Sequence, residues 1–136
     1  MKAIEFEEQV VVIAKDQEEY QQLPAWVGRG IICICFELDQ EEKAKVLETK
    51  KAGIGVLNFN GPVQGMEVKT IKPEFPIDFR LALNVNPIAW DLENQTAVLE
   101  FEFSDDELEA LEAEGLFWII IAVRDSPLLP LNPEVL

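Results

Sequence analysis

The sequence predicts an α+β fold, a β-rich single domain made of two pseudo-symmetric strand–strand–helix–strand units at about residues 1–73 and 74–136. Three observations point there. Short apolar runs with strand-like alternation dominate the chain, two capping-box signatures each open a short helix between strands, and the order of these elements recurs. A chain of 136 residues with 49% apolar side chains suits one domain. At that length folding buries roughly two-thirds of the surface the unfolded chain exposes.

In the first unit, residues 3–6 alternate apolar and polar as a short strand, and the β-branched run Val10-Val11-Val12-Ile13 suits a more buried one. A polar connection leads through Leu23-Pro24-Ala25-Trp26 to a turn at Gly28-Arg29-Gly30, and residues 31–38 form the strongest strand of this half. Asp39 with Glu42 three residues on has capping-box spacing. Lys50 and Lys51 suit a helix C-terminus, and Gly53 is the expected stop. Residues 54–59 return as a strand, Asn60-Gly61-Pro62 turns, and residues 66–70 alternate again.

Pro73-Glu74-Phe75-Pro76 is the expected joint between units. Residues 79–85 then alternate as a half-buried strand, and Asn86-Pro87 turns into Ile88-Ala89-Trp90. Residues 97–103 form a strand with Leu99, Phe101 and Phe103 on one face. Ser104 and Glu107 make a second capping box, Gly115 ends that helix, and residues 116–123 read as a fully apolar central strand. The tail, with Pro127, Pro130 and Pro133, is expected to lie extended over the surface.

The repeat is read from Pro24-Ala25-Trp26 against Pro87-Ile88-Ala89-Trp90, Phe36-Glu37-Leu38 against Phe101-Glu102-Phe103, and Asp39/Glu42 against Ser104/Glu107. The strand and cap positions share an offset of 65, whereas Gly53 and Gly115 differ by 62, which makes the second helix three residues shorter on this reading.

Composition excludes much chemistry. The chain has no histidine, so Ser-His-Asp and Cys-His arrangements and histidine metal ligands are ruled out. Cys33 and Cys35 stand at i and i+2 on one strand, a poor geometry for a disulfide and too few ligands for zinc, so buried reduced thiols are expected. No metal, cofactor or catalytic residue is assigned. No apolar run reaches the roughly 20 residues of a membrane-spanning helix, and the N-terminus lacks a signal-peptide pattern, so a cytoplasmic protein without membrane contact is expected.

The net charge of −15 is unevenly placed: residues 1–73 carry nine Lys/Arg against twelve Asp/Glu (−3), and residues 74–136 carry two against fourteen (−12). Such a field disfavours nucleic acid and attracts a basic partner. The stretch from Asp105 to Glu114 holds six carboxylates in ten residues. Asp105, Asp106 and Glu107 complement the helix dipole, whereas Glu112 and Glu114 oppose it and Glu109 repels Glu112. A solvated face explains this pattern, as does a binding face for a basic protein. The spacing is not that of a calcium loop.

Val12-Ile13-Ala14-Lys15-Asp16-Gln17-Glu18-Glu19-Tyr20, followed by Leu23-Pro24-Ala25-Trp26 and by Ile32-Cys33-Ile34-Cys35-Phe36-Glu37-Leu38 before a helix and a Gly-x-strand, resembles short phage- and prophage-associated proteins of unknown function. The resemblance covers about residues 10–68. It departs at Phe36, where that pattern often has tryptophan, and in lacking a basic helix surface. It implies a mobile-element context rather than a mechanism.

Two functions follow as expectations. The first is a non-catalytic acidic interaction protein of phage or mobile-element origin, monomeric or weakly dimeric, that binds a basic protein partner. Its contact residues would be Asp105, Asp106, Glu109, Glu112 and Glu114, with Trp26 and Trp90 as a matched aromatic pair that covers sheet ends or frames a shared groove. A DNA-mimic inhibitor is one version of it. The second is a small-molecule-binding protein or carboxylate-based enzyme with a site between the two units, which would need a polar pocket there.

Overall fold

The alternation and capping signals resolve into ten strands and two helices in a computed structural model that describes residues 1–16, 18, 21–57, 65–77, 87–122 and 134–135. In chain order they are β1 (Lys2–Ile4), β2 (Val11–Ile13), β3 (Leu23–Gly28), β4 (Ile31–Glu37), α1 (Gln40–Thr49), β5 (Lys51–Leu57), β6 (Met66–Lys69), β7 (Ala89–Asp91), β8 (Thr96–Glu102), α2 (Asp105–Glu114), β9 (Leu116–Ala122) and β10 (Glu134–Val135). This is a mostly-sheet single domain with two helices. The strand expected at residues 79–85, the turn at 60–62 and most of the proline-rich tail lie outside the described residues.

Every ladder is antiparallel. One sheet runs β2-β3-β4-β9-β6, and the other runs β10-β5-β8-β7. β1 continues along the edge of β4 where β3 leaves off: β3 pairs Ile31 to Ile34, and β1 pairs Cys35 to Glu37. The longest ladders are β4 with β9, centred on Ile34↔Ile119, and β5 with β8, centred on Ile54↔Leu99. Each of these joins a strand from one half of the chain to a strand from the other.

One apolar core takes a face of both sheets and the buried side of both helices. It joins Ile34, Phe36, Phe117 and Ile119 of the first sheet, Ile54 and Leu99 of the second, Val46 of α1 and Leu111 of α2. Phe103 stacks on Phe117 with ring centroids 5.5 Å apart. A second, smaller core covers the other face of the first sheet. There Cys33, Cys35, Trp118 and Ile120 are buried beneath Phe6, Trp26 and Phe75.

Both capping boxes form. Glu42 N–H donates to Asp39 Oδ1 at 2.8 Å and Asp39 N–H returns to Glu42 Oε1 at 3.0 Å. Ser104 and Glu107 repeat the exchange at 3.3 and 3.1 Å. Each cap contributes on the order of 1 kcal/mol. Glu42 is used twice, since its Oε2 also holds the Met1 ammonium at 2.7 Å.

Three expectations change. Gly53 does not stop α1: the helix ends at Lys50, in the left-handed region at φ 62°, and Gly53 lies within β5. Both helices are therefore ten residues long, not unequal. The run 10–13 is not a buried strand, because β2 is an edge strand with Val10 and Val11 exposed. Leu23-Pro24-Ala25-Trp26 is no mere connection, because it belongs to β3. Proline is tolerated there because the β3–β4 ladder begins one residue later, at Ala25, so no ladder bond to β4 is lost.

The tight turn at Arg29-Gly30 has both residues at positive φ, 53° and 76°, as a two-residue hairpin of this hand requires. Gly28, just before it, carries a second constraint. A Cβ there would fall 2.7 Å from ring carbons of Trp26, whose indole folds back along the strand.

Candidate binding surface

α2 follows β8 directly, and its short apolar side, Leu108 and Leu111, anchors it on the core. The 3.6-residue period then turns the carboxylates outward. Asp105, Asp106, Glu109, Glu112 and Glu114 are all exposed, and among the described residues none of them forms an ion pair. Glu107 is the exception in this helix, half-buried and committed to the cap. Its carbonyl accepts the Thr70 hydroxyl at 2.6 Å, which fastens β6's exit to the helix.

The acidic surface continues onto β8. Glu100 and Glu102 lie on its outer face, and Lys51 of β5 reaches both, at 3.6 and 3.5 Å. Across residues 87–122 there are ten carboxylates and no lysine or arginine.

Trp26 and Trp90 are not a structurally matched pair. Trp26 pairs with Cys33 and so faces the outer side of the first sheet, where it packs on Phe75 at 5.4 Å. Trp90 pairs with Ala97 on β7, at the edge of the second sheet, and is 51% exposed. The mismatch comes from a one-residue slip: Trp90 follows Trp26 by 64 positions where the strands repeat at 65, and a slip of one turns a strand side chain to the other face. The loops differ as well, two residues joining β3 to β4 and four, residues 92–95, joining β7 to β8, but an even difference shifts the pairing without changing the face. Trp90 also stands at the end of β8 remote from α2, five pairs along the strand from Glu102, about 17 Å. The acidic helix, Trp90 and Trp26 thus occupy three separate places.

The four-residue loop is held by its own side chains. Asp91 accepts from Asn94 twice, from N–H at 3.1 Å and Nδ2 at 2.7 Å, and these donors hold its carboxyl below the usual carboxylate range. A different feature escaped the sequence reading: the segment around residues 72–77 crosses the first sheet's outer face. Lys72 reaches Glu8 at 2.8 Å and lies 5.7 Å above the Trp118 ring, while Phe75 packs beside Phe6 at 6.0 Å. The Lys72 ammonium draws the Glu8 carboxyl below its ordinary value.

Under this cover both cysteines are free and buried. Burial pushes the Cys33 thiol far up and the Cys35 thiol up to about 12, so neither is a nucleophile at neutral pH. Among the described residues no three His, Cys, Asp or Glu side chains gather as metal ligands would, and no helix is long and apolar enough to cross a membrane. Comparison with protein-family models, with curated proteins and with solved structures finds no match to the chain.

Proposed function

We propose that this protein is a non-catalytic interaction protein that binds a basic protein partner through the acidic face of α2. The observation that carries the proposal is the contrast between the two helices. They have equal length, the same cap chemistry and similar packing on the core, yet α1 mixes three acidic with two basic residues whereas α2 carries six acidic and none basic. The shared fold position does not demand that charge. Glu112 and Glu114 lie at the C-terminal end, where the dipole disfavours them, the last turn of α2 has no basic residue, and among the described residues neither glutamate forms an ion pair. A phage or mobile-element origin is part of the proposal and rests on the sequence pattern over residues 10–68.

We also propose that the domain consists of two copies of one strand–strand–helix–strand unit related by a pseudo-twofold axis. Adding 65 to each β4 residue and subtracting 65 from each β9 residue turns the seven β4–β9 pairs into the seven β8–β5 pairs. The same operation turns Leu38 N–H→Gly115 O (2.9 Å) into Phe103 N–H→Lys50 O (3.1 Å). The sheet order β3-β4-β9-β6 likewise becomes β7-β8-β5-β10. The competing reading, a ligand site between the copies, draws no support from this junction. The side chains there, Phe36, Ile54, Leu99 and Phe117 among them, are apolar and fully buried.

The test is to recover partners from a lysate of the source with the wild type and with the Glu109→Gln/Glu112→Gln/Glu114→Gln variant. The variant should fold as well or slightly better, associate more slowly, and lose most of the salt dependence, since long-range attraction acts mainly on the on-rate. Equal capture by both proteins at low and high salt would reject the acidic helix as the contact.

A further inference from the structure

The strand order threads two arms of the chain through one another. In the first sheet β9 lies between β4 and β6, and in the second β5 lies between β8 and β10. The first arm runs from β1 to β6 and the second from β7 to β10. Two strands of each arm thus stand one strand apart, and the other arm fills the space between them. Among the described residues β5 and β6 have no ladder partner in their own arm, and β9 and β10 have none in theirs. The Thr70 hydroxyl on the Glu107 carbonyl, at 2.6 Å, and Phe6 set edge-on against Trp118, at 5.4 Å, also cross between arms.

None of these contacts requires both arms to belong to one molecule. The arms are joined by the chain between the buried Ile77 and β7, and that tether supplies local concentration rather than specificity. A second copy offers the same register and the same apolar face. Two copies that exchange second arms satisfy every ladder, and the exchange closes on itself, so the assembly stops at two. Exchange between folded monomers would first have to part both seven-pair ladders, which confines it to folding.

Charge opposes the second copy, because each chain carries −15. Salt screens that repulsion, so ionic strength should favour the dimer, whereas it weakens contact with a basic partner.

We infer that two copies of this chain, folding together, exchange their second arms and form a closed dimer in which β9 of each copy lies between β4 and β6 of the other. Each half of the dimer repeats the fold of the monomer, so one particle carries two acidic α2 faces. The inference rests on the strand order and not on the basic-partner reading.

The test refolds the whole chain from urea over a range of concentrations and separates the products by size. While dimer is scarce, a tenfold rise in chain concentration should raise the dimer-to-monomer ratio about tenfold. Added salt should raise it further. Exchange itself is read from a mixture of the Lys51→Cys chain and the Glu102→Cys chain, refolded together. Lys51 and Glu102 are exposed and stand opposite each other on the β5–β8 ladder. A short thiol-to-thiol cross-linker should therefore join the two chains where arms have been exchanged. The chain with both substitutions, refolded dilute, should be joined within itself, which calibrates the reaction. Variants mixed after separate folding should stay unlinked.

Wild type that refolds to monomer alone at every concentration and salt would overturn the inference. A dimer whose mixed variants stay unlinked, while the doubly substituted chain is joined, would overturn it too. Linking of chains mixed after folding would show association without exchange during folding, with the same consequence.

Discussion

The β4–β9 ladder and the β5–β8 ladder have the same length and the same alignment, yet their outer faces are opposites. Behind β4 and β9 lie Cys33, Cys35, Trp118 and Ile120, all buried under aromatic side chains. Behind β5 and β8 lie Lys51, Glu100 and Glu102 in solvent, with Gly53 and Gly55 opposite Glu100 and Val98. The inner faces are equally apolar. The composition of each strand is therefore set by what covers its second face: β9 reads as an unbroken apolar run and β8 alternates. One arrangement can carry a structural second core on one side and a charged surface on the other.

The largest expected effect breaks the covered side. Trp118→Ala should cost about 3–5 kcal/mol, as large-to-small changes of buried aromatics do. Glu100→Ala, on the corresponding outer face of the other sheet, should stay within about 0.5 kcal/mol. Urea denaturation of both variants checks the contrast, and similar losses would mean that the two outer faces are energetically alike.

Removing the cover rather than the covered residue comes next. Phe75→Ala should cost roughly 2 kcal/mol, since Phe75 is only half-buried, near the middle of the usual range for single mutations. It should also speed labelling of Cys33 and Cys35 by a thiol reagent, because desolvation is the main reason both thiols resist ionisation. Unchanged labelling kinetics in a folded Phe75→Ala protein would show that some other segment guards the thiols.

A sharper comparison sets the two helix ends against each other. Lys50 and Gly115 both adopt left-handed backbone, at φ 62° and 66°. Lys50→Gly should stabilise by up to about 1 kcal/mol, and Gly115→Ala should destabilise by about 1 kcal/mol, since only glycine holds this conformation without strain. A Cβ at Gly115 would meet nothing closer than Lys43 at 3.9 Å, so the backbone alone decides the sign. Thermal melts of the two variants should move in opposite directions.

The smallest effect concerns the Glu8–Lys72 pair. Lys72 lowers the Glu8 pKa, so the carboxylate's contribution is present above the unfolded carboxyl value, about 4.3, and is lost as pH falls through the lower folded value. Glu8 in turn raises the Lys72 pKa, so that side of the pair persists below the ordinary lysine value and is lost as pH rises through the raised one. Wild type should therefore lose slightly more melting temperature than Glu8→Gln between pH 6 and about pH 3. Parallel curves for the two proteins would show that the pair is energetically silent.

The features that local chemistry announces were legible in the sequence. Asp39/Glu42 and Ser104/Glu107 are complete within four residues, and the cysteine strand and residues 116–122 declare their burial by composition. What was misread depends on distant partners. Lys50 takes the left-handed position, and its carbonyl accepts from Phe103, far along the chain. β2 reads as buried but sits at a sheet edge, because β-branching reports strand preference and not neighbour count. The charge on α2 was legible residue by residue. The pairing of Trp26 with Trp90 failed because the two segments are Pro-x-Trp and Pro-x-x-Trp, so Trp90 falls one residue short of the 65-residue repeat and turns to the opposite face.

The central structural claim, one unit written twice, is tested most directly by scalar coupling across hydrogen bonds in the isotope-labelled protein. The symmetric account predicts two matched couplings, from Leu38 N to the Gly115 carbonyl carbon and from Phe103 N to the Lys50 carbonyl carbon, the bonds measured at 2.9 and 3.1 Å. Detecting one coupling while the other amide donates elsewhere, or to water, would contradict it.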